Sequence, residues 1–166
     1  MKKYFFLIYF FIYSFIYSFN VSAQEIAIVD INYLLQKSKE GISINKQFES
    51  LNKKNFKNFE KREKEFREKE KKIVSKKNVL SKEDFQKEIK SFSEEVKKYN
   101  EEKKNKINQT TKENNEKIVK LLKKINSILV EYSKENNIST TIDKKYVIMT
   151  KSENDITEKI LVILDK

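Results

Sequence analysis

From Ser43 to Asn136 the chain contains neither glycine nor proline, and the whole 166-residue sequence holds one glycine and no proline. Those two residue types supply most of the backbone geometries that loops require, so their absence makes long, uninterrupted helix the default. The same stretch is too poor in apolar residues to be wrapped in a globular core, and 37% of the chain is charged. A solvated helical structure must therefore be anchored by something else in the chain.

The residue inventory narrows the chemistry. With no His, Cys or Trp, the chain lacks imidazole bases, thiol nucleophiles and nearly all transition-metal ligands. This argues against an enzyme, and no cofactor is implied. The missing cysteines fit a reducing cytoplasm and a disulfide-free periplasm equally.

The first residues, MKKYFFLIYFFIYSFIYSFNVSA, have the layout of a secretory signal peptide. Lys2 and Lys3 form the positive region, Tyr4 to Phe19 the apolar run, and Val21-Ser22-Ala23 the small-residue exit, which predicts cleavage between Ala23 and Gln24. The alternative is an uncleaved anchor, since about 20 apolar residues can span a bilayer. Cleavage leaves a 143-residue chain, and loss of Lys2 and Lys3 lowers the net charge from +11 to +9. Such a surface attracts anionic partners. Export argues against nucleic acid as the target, and only Arg62 and Arg67 could make bidentate base contacts, so no specific nucleic-acid partner is expected.

The two ends of the mature chain read differently from its middle. Ile26 to Val29 is a β-branched run suited to a buried strand, followed by a short helix with Ile31, Leu34, Leu35 and Ser38 on one face and Asp30 or Asn32 as cap. Gly41 is expected to end that helix in a left-handed conformation, with Ser43 capping the next. Near the other end, ISTTID (138–143) and YVIMT (146–150) read as strands joined at Lys144-Lys145. A last helix, capped at Asp155 or Thr157, carries Ile156, Ile160, Leu161 and Leu164 as its buried stripe.

Between the ends, Phe59, Phe66 and Ile73 recur every seven residues, a sparse coiled-coil seam. Glu60 to Lys72 is charged everywhere except Phe66, and Glu60/Lys64, Glu63/Arg67, Glu65/Lys69 and Glu68/Lys72 form acid-before-base pairs worth about 0.2–0.5 kcal/mol each. Ser75 to Asp84 interrupts the pattern. Asn78 can turn left-handed, Ser81 with Asp84 resembles a capping box, and a helical hairpin is expected to reverse here. Phe85, Ile89, Phe92, Val96 and Tyr99 then form a returning seam, and a second runs from Ile107 through Ile118, Leu121, Ile125, Ile128 and Tyr132. The seams join through Lys103 in a stutter. Asn100 to Lys117, with one apolar residue in eighteen, should pack most weakly and face residues 39–56. At about 1.5 Å per residue the two helices reach roughly 50 and 80 Å.

The expected fold is therefore α+β: a small β-sheet body made by the chain ends, with a long antiparallel α-helical coiled-coil hairpin projecting from it. The division is 1–23 signal peptide, 24–42 with 137–166 as the body, and 43–136 as the arm. With the signal peptide, the opening EIAIVDINYLLQKSKEG, the charged hairpin and the ending ISTTIDKKYVIMTKSENDITEKIL, the mature chain resembles the Skp/OmpH family of periplasmic chaperones over essentially its whole length. The resemblance implies a jellyfish-like homotrimer whose bodies join through their sheets. Its arms enclose a cavity that holds unfolded outer-membrane proteins without ATP. Ile26, Ile28, Ile142 and Val147 are the residues expected in the trimer body. The scarcity of Arg and Ala, against abundant Lys and Asn, departs from the family, and no lipopolysaccharide-binding motif is carried over.

Two groups of residues are candidates for contact. Phe48, Leu51, Phe56, Phe59 and Phe66 read either as hairpin seam or, near the stutter, as cavity-lining residues that touch client. At the tip, Lys71, Lys72, Lys76, Lys77 and Lys82 surround Ile73, Val74, Val79 and Leu80. This reads either as a contact for an anionic membrane surface or client, or as a solvated turn whose lysines prevent self-association. The alternative function is a structural coiled-coil envelope protein tethered to the inner membrane by an uncleaved N-terminal segment.

Overall fold

A computed structural model describes residues 25–166; the expected signal peptide and its expected cleavage between Ala23 and Gln24 lie outside the described residues. Strand β1 (Glu25–Val29) leads into helix α1 (Ile31–Lys37), then α2 (Lys39–Ser75) and α3 (Lys82–Glu135). Strand β2 (Ile138–Asp143) follows, then two single 3-10 turns (Lys144–Tyr146 and Ser152–Asn154) and helix α4 (Thr157–Leu164). The architecture is α+β, as the sequence predicts.

The two strands pair in parallel, Ile26 with Thr140 through Val29 with Asp143, so the whole hairpin is the crossover between them. Parallel strands require such a long connection. On the other edge of β1, Ile156 N–H donates to the Ile28 carbonyl at 2.9 Å. Ala27 and Val29 point into a core completed by Leu34, Ile44, Leu121, Ile125, Leu129, Ile156, Ile160 and Leu164. The roots of both arm helices thus belong to the core, which is what fixes the arm to the body.

Local chemistry sets the element boundaries. Asp30 Oδ1 accepts from Tyr33 N–H at 2.8 Å and caps α1. Asp155 Oδ1 accepts from the Thr157 amide at 3.0 Å and its hydroxyl at 2.6 Å, while Thr157 Oγ1 accepts from Asp30 N–H at 2.9 Å, tying the entry of α4 to the end of β1. Lys39, at the start of α2, donates its amide to Asp165 Oδ1 and its Nζ to the Asp165 carbonyl.

Three local expectations are corrected. Gly41 does not end α1 in a left-handed conformation: the break falls at Ser38, whose Oγ accepts from Gly41 N–H at 3.1 Å, and Gly41 lies inside the first turn of α2. Glycine is needed there for closeness, since a Cβ would stand 1.9 Å from the Leu35 carbonyl oxygen. Asn78 does not turn left-handed either. The reversal is closed by Val79 and Leu80 amides donating to the Lys76 carbonyl, and the one positive φ among the described non-glycine residues is at Asn137, 55°, just past α3. Third, YVIMT is not a strand. Lys144–Tyr146 is a 3-10 turn, and the residues after it pair with no strand among those described.

Candidate functional site in the helical hairpin

Helices α2 and α3 contain 37 and 54 residues, about 55 and 80 Å. Their pairing is read from contacts across the seam. Lys76 meets Glu88, Lys69 meets Glu95, Glu63 meets Lys103, Asn55 meets Thr110 and Gln47 meets Lys117. The polar stretch Asn100 to Lys117 therefore faces residues from Gln47 to beyond Glu63, further toward the tip than the expected 39–56. Ser81 caps α3 as expected, its Oγ accepting from Asp84 N–H at 3.1 Å.

The seam is not heptad throughout. In α3 the residues turned inward recur every eleven: Tyr99, Thr110 and Leu121 are buried, and Phe92, Lys103, Asn114 and Ile125 form a second row. In α2, Ile44, Asn55 and Phe66 keep the same interval. Eleven residues over three turns give 3.67 per turn, a repeat that relaxes the left-handed supercoil of a heptad seam. Ile89 and Ile107, expected on the seam, are instead exposed.

Toward the tip the seam is aromatic. The Phe66 ring stands edge-on to Phe92 at 6.0 Å and tilted against Tyr99 at 5.1 Å, with the Arg62 guanidinium over both Phe66 and Tyr99. Midway it becomes polar. Tyr99 OH donates to the Phe59 carbonyl at 3.1 Å, and Lys103 Nζ sits 2.6 Å from Glu63 Oε1 and 5.4 Å from the centre of the Phe59 ring. The hydrogen bond from Lys103 holds the Glu63 carboxyl below its ordinary value despite partial desolvation. Burial, followed by the Glu63 charge, raises the Tyr99 phenol. About two turns further in, the Asn55 amide donates to Thr110 Oγ1 at 3.1 Å, and Thr110 in turn donates to the Lys106 carbonyl. Both side chains of this pair are buried.

Of the expected in-helix ion pairs, Glu60–Lys64 forms at 3.2 Å, whereas Lys69 and Glu63 reach across to α3. Exposed pairs of this kind add little individually, but those crossing the seam select one alignment of the helices.

The candidate residues separate into groups. Phe59 and Phe66 lie in the seam and Phe48 is half-buried, while Leu51 is 41% and Phe56 68% exposed. At the tip, Lys71 pairs with Glu68 and Lys76 with Glu88; among the described residues Lys72, Lys77 and Lys82 make no ion pair. Ile73 is buried, but Val79 beside them is 82% exposed. In the body, Ile28 is buried within its own chain, Ile142 and Val147 are half-buried, and Ile26 is largely exposed. Sequence reasoning does not pair Asn55 with Thr110 or set Arg62 over the aromatic rings, and it places Ile107 on the seam rather than in solvent. The eleven-residue interval from Tyr99 to Leu121 is the signal that points to Thr110.

A family model, described as outer membrane protein (OmpH-like), matches residues 25–164. The chain belongs to the OmpH-like family. Among solved structures it is similar to a candidate outer membrane chaperone (OmpH-like) from Caulobacter crescentus CB15, with a TM-score of 0.79 and 10% sequence identity. The match covers 87% of this chain and 85% of the other. At that identity the likeness is one of fold. No curated protein matches this OmpH-like chain in sequence. No helix among the described residues is long and apolar enough to cross a membrane.

Proposed function

We propose that this chain is an ATP-independent holdase chaperone of the periplasm, exported through its leader, that binds unfolded outer-membrane proteins and keeps them from aggregating. The observation that carries the reading is a long hairpin whose seam is too thin to absorb its own apolar residues. Leu51, Phe56 and Ile107 remain exposed along a lysine-rich surface. Membership of the OmpH-like family, and the chaperone description of the Caulobacter protein, support it.

Holding an unfolded chain calls for reversible, non-directional contacts rather than catalysis. Scattered apolar side chains supply short-range attraction, and the net positive charge supplies long-range attraction. Three copies joined through their bodies would place three arms around a shared cavity, with Phe48, Leu51 and Phe56 as the client-contacting residues of each arm. Phe59 and Phe66 contribute by holding the two helices together. The tip, with Lys72, Lys77 and Lys82 around Val79, is the element suited to meet an anionic membrane surface.

The test is light scattering of an unfolded outer-membrane barrel diluted from denaturant with the mature chain, without nucleotide. Suppression is expected at a stoichiometric amount, with high salt slowing capture more than it speeds release. An absolute ATP requirement, or equal suppression by an unrelated lysine-rich protein, overturns the reading. N-terminal sequencing of the protein from cells should find Gln24; finding Met1 favours the tethered structural protein.

A further inference from the structure

The two sides of the hairpin are unlike. In α2, Phe56 comes one residue after the buried seam residue Asn55; in α3, Ile107 comes three residues before the buried seam residue Thr110. One residue on and three residues back each turn a side chain about 60–100° from the seam in the same sense. In antiparallel helices that sense leads to one common side of the pair. The arrangement recurs nearer the tip, where Val74 follows the buried Ile73 by one and Ile89 precedes the half-buried Phe92 by three. Asn55 stands opposite Thr110 and Lys76 opposite Glu88, so Phe56 and Ile107 share one level of the arm, and Val74 and Ile89 another. All four are open to water, Phe56 at 68% and Val74 at 56%.

The other side is charged, with Arg62, Glu65, Lys69, Glu95, Lys98 and Glu102 lining the groove there. Neither helix carries this division alone, since each contributes one member to each apolar pair. Between the pairs, Lys103 and Glu63 close their charges on each other at 2.6 Å. Within each helix the two exposed members are eighteen residues apart, about 27 Å along the arm. An extended chain covers that distance in about eight residues, and because eight is even the side chains at its two ends point the same way. A barrel strand that crosses the outer membrane has about nine to eleven residues, with apolar side chains at alternate positions.

We propose that this side of the arm, with Phe56–Ile107 and Val74–Ile89 as two apolar seats, holds one strand-length segment of an unfolded outer-membrane protein in extended form, its first and ninth residues on the two seats. A helical segment of nine residues extends only about 14 Å and reaches one seat. The inference rests on the holdase reading above and adds which side of the arm takes the client and which feature of the client it measures.

The experiment uses the mature chain, Gln24–Lys166, and fluorescein-labelled peptides read by anisotropy. A nine-residue peptide alternating leucine with asparagine, leucine first and last, should bind at least about tenfold tighter than its five-residue half, because engaging one seat raises the effective concentration at the other. A nine-residue peptide of the same composition with its leucines grouped should bind like the half. Phe56→Ser with Ile107→Ser, and separately Val74→Ser with Ile89→Ser, should each bring the long peptide down to the affinity of the short one with helix content unchanged. The chain has no cysteine of its own, so a benzophenone maleimide can be placed at single positions. On Phe56→Cys or Ile107→Cys it should crosslink an unfolded outer-membrane barrel, and on Asn58→Cys or Lys98→Cys, on the charged side, it should do so far less. Equal crosslinking from both sides, or equal or absent binding of the three peptides, overturns the two-seat proposal. If the wild type still suppresses barrel aggregation the holdase reading stands without it; if it does not, both fall.

Discussion

Replacing Gly41 by alanine should destabilise the protein, against the sign that helix propensity assigns. Inside a helix alanine is favoured over glycine by about 1 kcal/mol. Here the new Cβ would stand 1.9 Å from the Leu35 carbonyl oxygen, 2.8 Å from its carbonyl carbon and 3.0 Å from Ser38 Oγ. Ordinary contact requires roughly 3.5 Å, so the end of α1 and the start of α2 must separate by about 1.5 Å. The obstacle is backbone, which cannot rotate aside. Buried Ser38 is fixed by capping α2, and the adjoining Lys39 is held by Asp165. Overpacking of this kind costs about 1–3 kcal/mol. Taking the upper end and subtracting the propensity gain leaves a loss of about 2 kcal/mol. Urea unfolding followed by circular dichroism, at matched protein concentration, measures it. Ser43→Ala in the same helix, at an exposed position, is the control and should be slightly stabilising. A Gly41→Ala protein as stable as wild type would refute the close-approach argument.

The buried polar contact midway along the arm should behave asymmetrically. Asn55→Ala alone removes the bond to Thr110 and should cost about 1 kcal/mol, whereas Asn55→Leu with Thr110→Val should be neutral or stabilising. Because few apolar contacts hold Asn100 to Lys117, hydrogen exchange there should be faster than in Ile118 to Tyr132, and the double variant should slow it; unchanged exchange would count against a hinge at this place. The Glu63 carboxyl is held below its ordinary 4.5 by Lys103, so the stabilisation is present above that pH and disappears as pH falls through the lower folded value. The melting-temperature difference between wild type and Lys103→Met should therefore be steady at neutral pH, shrink in acid and shrink with salt; a difference that grows below pH 4 contradicts it. At the tip, Lys72→Glu, Lys77→Glu and Lys82→Glu together should abolish binding to vesicles containing anionic lipid while leaving the arm folded; equal binding by wild type and variant would assign these lysines to solvation alone.

Much of this molecule is written in short-range sequence. The glycine- and proline-free stretch dictates helix, Ser81 with Asp84 places the start of α3, Asp30 caps α1, and the spacing of Ile156, Ile160 and Leu164 sets the buried face of α4. Each depends on neighbours three or four residues apart, so each is legible one turn at a time. The phase between two long helices is not. Tyr99, Thr110 and Leu121 share a face because of small rotations accumulated over several turns, and Thr110 is buried because Asn55 arrives opposite it from a different helix. The parallel pairing of β1 with β2 likewise requires both ends of the chain to return to one place. Gly41 illustrates the limit most directly. A lone glycine between two helical patterns suggests a terminator, and only the tertiary fold, by bringing the Leu35 carbonyl against it, turns it into a point of close packing. The segment 146–150 has the alternation of a strand, but a strand exists only beside another, and within one chain the tether at Asp155 keeps it from the open edge of β2.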